Sequence, residues 1–345
     1  MPFSELLVAQ PLTTPAIALW NQRLQVLNAG DRLRALCDAV DYQNDLALYQ
    51  WAQWFALALE FKPDLIVELG RGRGNSTCLF TEAANQLGNC RVVSLCLSPE
   101  WDEFTQPSVA RVVSEDWFRP LDARLGNILT TDMNELLGNS QRVLLLWDAH
   151  GYAMADYVLG HALPLLRHRQ HMVLMHDISD TRYTPGPKDY QGKTLWRGNN
   201  DGYTRLVLGH LNSAVEQVVA IVDFTSRNDL ELHSADHSLH QELSPEQIIQ
   251  LQQQLGEFFS QNGHWFYFSL NEKAETEPIY FPAFSTEPAT PEWIYRKDFE
   301  QIQQQLQQAK TDLEQAQATI AAIQTSKFWK LRTLWFEIKK QIGLR

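Results

Sequence analysis

Cysteine is scarce in this chain, and what there is does not pair. Cys37, Cys78, Cys90 and Cys96 are the four cysteines in 345 residues, and no two form a Cys-x-x-Cys unit. A disulfide-framed fold and a structural zinc site of the usual spacing are thereby excluded, and a reducing, cytoplasmic compartment is expected. Long apolar runs are missing too. No stretch of about 18 apolar residues occurs, so no spanning helix is expected. Met1–Gln10 lacks a basic start and an apolar core, so no signal peptide is read there. Positive charge is in deficit: 29 basic residues face 41 acidic ones, a net charge of -12. A broad nucleic-acid surface needs clustered positive charge, so nucleic acid is not expected as a partner.

What is present suits an ordinary soluble core, with 44% hydrophobic and 20% charged residues. Residues 1–62 read as a helical segment, in which Leu46, Trp51, Trp54, Phe55, Leu57 and Leu59 make a surface wide enough to bury on more than one side. Pro63 ends it. From 63 to 270, strand-like and helix-like segments alternate. Leu65–Leu69, Arg91–Leu97, Val143–Trp147 and His171–Met175 are the clear strands, with one more inside Val109–Leu129. Val218–Phe224 and Trp265–Leu270, on either side of a helix near Pro245–Phe259, are expected to complete the sheet. Alternation of this kind implies parallel βαβ units, and apolar strands without polar alternation imply a sheet covered on both faces.

The rest of the chain is organised differently. Residues 179–204 show no periodicity and mix Arg182, Tyr183, Lys193, Trp196, Arg197 and Tyr203, which suits either a lid over a hydroxyl-rich ligand or an irregular surface loop. Residues 271–298, with Pro278, Pro282, Pro288 and Pro291, read as a linker. In 299–345, Phe299, Ile302, Leu306, Ala309, Leu313, Ala316, Ile320 and Ile323 recur at heptad spacing and predict a long, coiled-coil-like helix. Its end, from Lys327 to Arg345, carries six basic residues against Glu337 alone, interleaved with Phe328, Trp329, Trp335 and Phe336. Peripheral membrane contact, oligomerisation and packing on the chain's own core are the three readings of such an end.

The chemistry concentrates in Val67-Glu68-Leu69-Gly70-Arg71-Gly72-Arg73-Gly74-Asn75-Ser76-Thr77. Glycines let a backbone turn sharply and a ligand come close, and the helix that follows offers unpaired N–H groups. A dinucleotide fingerprint needs a third glycine where Asn75 stands, so the NAD spacing fails. Gly-x-Gly-x-Gly behind an acid-tipped strand suits S-adenosylmethionine better: it has no phosphate to cradle, and Glu68 can meet its ammonium group.

With Asp148-Ala149-His150-Gly151 and His176-Asp177 placed after later strands, this loop resembles the class I S-adenosylmethionine-dependent methyltransferases, in the branch near cephalosporin-hydroxylase-like and sugar O-methyltransferases. The resemblance spans about residues 45–270. It implies a Rossmann-like methyltransferase fold, a mostly parallel seven-stranded sheet with helices on both faces, here with a long C-terminal helix added. It also implies a cofactor site built from Glu68, Gly70, Gly72, Gly74, Ser76, Ser98 and Asn127. Two positions depart from the family. Cys96 or Ser98 stands where the second strand usually ends in a ribose-binding acid, with Glu100 beyond a proline, and Gly126-Asn127 stands where an acid often lies near the adenine.

Asp148, His150, His176 and Asp177 follow two strands that neighbour each other in that topology, and ligands sit beyond the carboxyl ends of such strands. His150 or His176 can act as general base, with Asp148 in the catalytic set. The resemblance implies a divalent cation such as Mg²⁺ on Asp148 and Asp177. The same residues also suit helix capping. His233, His237 and His240 near Asp236 form a second group, read mainly as polar surface. The expected activity is O-methylation of a hydroxyl on a small-molecule or glycan acceptor; the alternative is a cofactor-free scaffold or glycan-binding module.

Overall fold

The computed structural model describes residues 13–176, 220–221, 224–225, 227–272 and 277–281, with three short strands between 189 and 207 and separate helical positions between 306 and 340. The chain divides into two compact units, Met1–Thr286 and Glu287–Arg345.

Helix α1 (Pro15–Val40) starts where its physical chemistry favours a start: Thr14 accepts the Ile17 N–H on its hydroxyl, and Pro15 occupies the first turn. Helix α2 (Leu48–Phe61) is buried from Gln50 to Leu59, as the width of its apolar surface predicts. Its two buried amides are satisfied from outside the helix. Gln50 donates to the Gly263 carbonyl at 2.9 Å, and Gln53 accepts from the Trp265 indole at 2.9 Å.

The strands are β1 (Leu65–Leu69), β2 (Arg91–Cys96), β3 (Leu121–Leu125), β4 (Arg142–Trp147) and β5 (Gln170–Met175). A small sheet follows, β6 (Asp189–Tyr190), β7 (Lys193–Arg197) and β8 (Arg205–Val207), and then β9 (His233–Ser234) and β10 (Phe266–Phe268). The main sheet has the order β3-β2-β1-β4-β5-β10-β9. β1 to β5 are parallel, whereas β10 runs antiparallel to both its neighbours. With helices on both faces, this is the expected Rossmann-like methyltransferase arrangement. Leu69 is level with Leu95 on one side and Trp147 on the other, so the carboxyl ends of β1, β2 and β4 meet at one crest.

Successive strand residues serve opposite cores. Ile66, Leu144, Leu146, Met172 and Leu174 join the core of α1, α2 and α3 (Asn75–Leu87). Val67, Val143, Leu145, Trp147 and Val173 join a second core with α5 (Met133–Leu137), α6 (Tyr152–Tyr157) and α7 (Leu163–Leu166). α4 is the short helix Gln106–Val109 after a helical turn at Trp101–Thr105. Strand side chains alternate between faces, so only an apolar run can feed two cores at once.

Three expectations need correction. Val218–Phe224 is not the predicted final strand: its described residues Ala220, Ile221 and Phe224 are helical, and His233–Ser234 forms the sheet edge instead. Ile221 and Phe224 are three apart and both buried, which suits a helix face, and a short apolar run alone does not discriminate the two. The segment 179–204 contains backbone of an antiparallel sheet rather than loop throughout. The start of the expected linker is docked: Tyr280 exchanges hydrogen bonds with Asn228 at 2.5 and 2.9 Å. α8 (Ala235–Gln241) and α9 (Pro245–Leu255) complete the first unit, α9 opening with a Ser244/Gln247 capping box.

In the second unit, Leu306 and Leu313 are exposed on helical backbone, as are Trp335, Phe336 and Ile338. Among the described residues, no helix is long and apolar enough to cross a membrane.

Candidate active site

Five residues, Gly70 to Gly74, carry the chain from the end of β1 to the start of α3. Gly70, Gly72 and Gly74 have φ of +97°, +50° and +95°, and the reasons for glycine differ at each. A Cβ on Gly70 would stand 2.8 Å from the Asp148–Ala149 peptide, so β4 itself demands the close approach. A Cβ on Gly74 would stand 2.5 Å from the Trp101 ring. Only at Gly72, of these three, does a Cβ meet nothing within 4 Å. Open backbone for a ligand is therefore at Gly72, while Gly70 and Gly74 admit the protein's own groups.

Glu68, expected at the cofactor's ammonium group, turns its carboxylate inward. It is fully buried, and its carboxylate accepts hydrogen bonds from Ser76, from Ser94 and, at 2.5 Å, from Thr77. Burial raises its pKa; the three hydroxyls and nearby Arg71 pull the other way. Arg71, also buried, donates to the Ser94 carbonyl at 3.0 Å and to its hydroxyl at 3.1 Å. Glu68 is thus the anchor beneath the loop, tying β1 to β2 and to the first turn of α3. Ser76 is committed to the same anchor. The signal was available: Glu68 and Ser94, polar residues inside apolar strands, are direct register partners.

At the β2 and β3 ends, Ser98 is half-buried and accepts the Glu100 N–H at 3.2 Å, while its own N–H donates to the Cys96 sulfur at 3.4 Å. Asn127 is exposed and accepts the Leu129 N–H at 3.0 Å, capping a short helical turn. Both stand on the crest beside the loop.

The predicted Asp and His group is assembled in part. His176 Nδ1 lies 3.3 Å from Asp148 Oδ1. The His176 side chain is 6% exposed and the Asp148 side chain 18%, so the pair is shielded but reachable. Trp54 packs against the imidazole at 5.4 Å and 86°. His150 is exposed. Asp177 lies outside the described residues. Among the described residues, no group of three or more His, Cys, Asp or Glu is arranged to hold a metal ion. Asp148, with its oxygen turned to an imidazole, does not by itself fit the cation expected on it.

The second histidine group is architectural. His233 stacks on Tyr267 at 5.2 Å, and Asp236 caps the Gly263–His264 turn, accepting the His264 N–H at 2.8 Å. Trp54 and Trp101 had no motif to announce them, and Arg71, inside the glycine motif, had no role assigned; each acts through a contact between distant segments.

No protein-family model matches the chain, and no curated protein does. Among solved structures it is similar to the S-adenosylhomocysteine-bound Podospora anserina methyltransferase PaMTH1, at 15% identity over 68% of this chain and 86% of that one, TM-score 0.41. It is also similar to cofactor-bound Rv0187 from MTB, at 14% identity over 64% of this chain and 90% of that one, TM-score 0.39. A third likeness is to apo CmcI-N160, at 19% identity over 37% of this chain, which spans about half (51%) of that one, TM-score 0.29. The fold assignment rests on the strand order described above.

Proposed function

We propose that this protein is an S-adenosylmethionine-dependent O-methyltransferase, acting on a hydroxyl of a saccharide or glycan-related small molecule. The observation that carries the reading is the Asp148–His176 pair at the crest of β4 and β5, one strand away from the open backbone of Gly72. Gly72, Ser98 and Asn127 are the residues that would hold such a cofactor. Asp148, whose backbone abuts Gly70, would hold its amino end in place of the buried Glu68. When bound, S-adenosylmethionine supplies an electrophilic methyl group. Asp148 orients His176 through Nδ1, and the imidazole serves as the base for the acceptor's hydroxyl proton. The rest of the rate would come from holding nucleophile and methyl group in line.

One observation favours a second reading, a cofactor-free scaffold or glycan-binding module: Trp101 and the β4 backbone occupy two of the three close approaches the glycines allow. Calorimetry with S-adenosylhomocysteine separates the two. Micromolar binding supports the enzyme; no binding at millimolar ligand supports the scaffold. For residues 299–345 we propose peripheral membrane contact or oligomerisation, supported by the exposed Trp335, Phe336 and Ile338.

A further inference from the structure

Arg73 sits between Gly72 and Gly74, both at positive φ, and gathers side chains from two other parts of the chain. Its guanidinium carbon is 5.8 Å from the ring centroid of Tyr42, in the α1–α2 loop, and 5.3 Å from that of Phe104, in the turn after β2. Its Nε is 3.4 Å from Glu100 Oε1, with the two side chains 35% and 40% exposed. Tyr42 and Phe104 are exposed as well. The loop bearing Tyr42 is tied down by buried Asn75, which donates to the Tyr42 carbonyl at 2.9 Å and to Asp45 at 3.0 Å.

Cation–π contact with two rings positions a guanidinium without using its N–H groups as hydrogen-bond donors. The contact with Glu100 is long for a charge-assisted hydrogen bond. An exposed pair of this kind moves an equilibrium by about fivefold at most. A carboxylate or phosphate gripped by the fork moves it by about tenfold or more. An anion that engages two guanidinium nitrogens competes with Glu100 for Arg73. We propose that Arg73, flanked by Tyr42 and Phe104 and parked on Glu100, is an anion-recognition site at the edge of the glycine loop, taking a carboxylate or phosphate carried by a ligand that lies over Gly72. The inference rests on the proposed function only for the identity of that ligand, which is either the cofactor, through its amino-acid carboxylate, or an anionic acceptor sugar.

Calorimetry on the full chain tests this with S-adenosylhomocysteine, with its analogue lacking the carboxylate, and with inorganic phosphate added to cofactor-loaded and cofactor-free protein. If the anion is the cofactor's, Arg73→Gln weakens S-adenosylhomocysteine by about tenfold or more and spares the analogue. If it is the acceptor's, the same variant leaves S-adenosylhomocysteine alone and abolishes phosphate binding. In either case Glu100→Gln has the opposite sign and tightens the anion by about two- to fivefold, because the competing carboxylate is gone. A merely structural latch would loosen in both variants. Parallel effects, or no effect of Arg73→Gln on either probe, overturn the proposal. Failure of the wild-type protein to bind S-adenosylhomocysteine counts against the methyltransferase reading, and phosphate then decides the anion site alone.

Discussion

His176 Nδ1 lies 3.3 Å from Asp148 Oδ1, so the residues that follow two adjacent parallel strands share one hydrogen bond. The pair is what the proposed chemistry uses. His176→Gln is expected to lower the methyl-transfer rate by about 10²–10⁴-fold while leaving the S-adenosylhomocysteine Kd within about twofold. Asp148→Asn should lower both rate and affinity, since it orients the base and meets the cofactor. Single-turnover kinetics beside calorimetry check this; a His176→Gln protein of wild-type rate removes the base from His176.

The loop glycines are expected to separate folding from binding. Gly74→Ala places a methyl group on the Trp101 ring at a left-handed φ and should cost about 2–4 kcal/mol of stability. Gly72→Ala meets no neighbour and should cost only about 1 kcal/mol, yet weaken ligand binding. Urea unfolding measures the first effect and calorimetry the second. Equal destabilisation by the two substitutions would show that the loop is packed throughout.

His171 gives the pH dependence. It is fully buried, and burial pushes its pKa from the usual 6.5 down to about 4, against hydrogen bonds to the Arg169 and Leu166 carbonyls. Its Nε2 accepts the Leu270 N–H at 3.1 Å, which joins β5 to the segment after β10 and requires neutral imidazole. Between pH 4 and 6.5 the unfolded chain binds the extra proton and the folded one does not. The stabilisation is therefore complete above the unfolded value and is lost as pH falls toward 4, about 3 kcal/mol at most. Denaturant titrations from pH 4 to 7 should show that slope, and His171→Gln should flatten it. An unchanged slope would assign the acid sensitivity to other groups.

For the basic aromatic end, removing residues 326–345 should reduce sedimentation with anionic liposomes, and added salt should reduce it in the full chain. If sedimentation persists after the truncation, the membrane role passes to another surface, and a fall in oligomer mass by light scattering identifies self-association instead.

Much of the fold was legible in the chain because burial on two faces leaves a plain mark. Leu65–Leu69 and Val143–Trp147 have to be apolar at almost every position to supply two cores, and their order with intervening helices predicts a parallel sheet. Val218–Phe224 carried the same mark and misled, because an apolar run of that length fits a helix equally well. The glycine loop and the strand-end acids and histidines were legible as residues. Their roles were not: Glu68 and Ser76 have the composition of ligand contacts, but beneath the loop Ser76 donates to the Glu68 carboxylate, which also accepts from Ser94 and Thr77.

Sequence alone determined the four clear parallel strands, β1, β2, β4 and β5, the tight turn at Gly70–Gly74 and the presence of acids and histidines after β4 and β5, because hydrophobic periodicity and glycine are local signals. Tertiary structure decided which of those groups meet. Whether Trp101 lies on Gly74, Arg71 under Ser94, or Asp148 against His176 depends on how segments far apart in the chain are brought level by the sheet, and no local pattern encodes that distance.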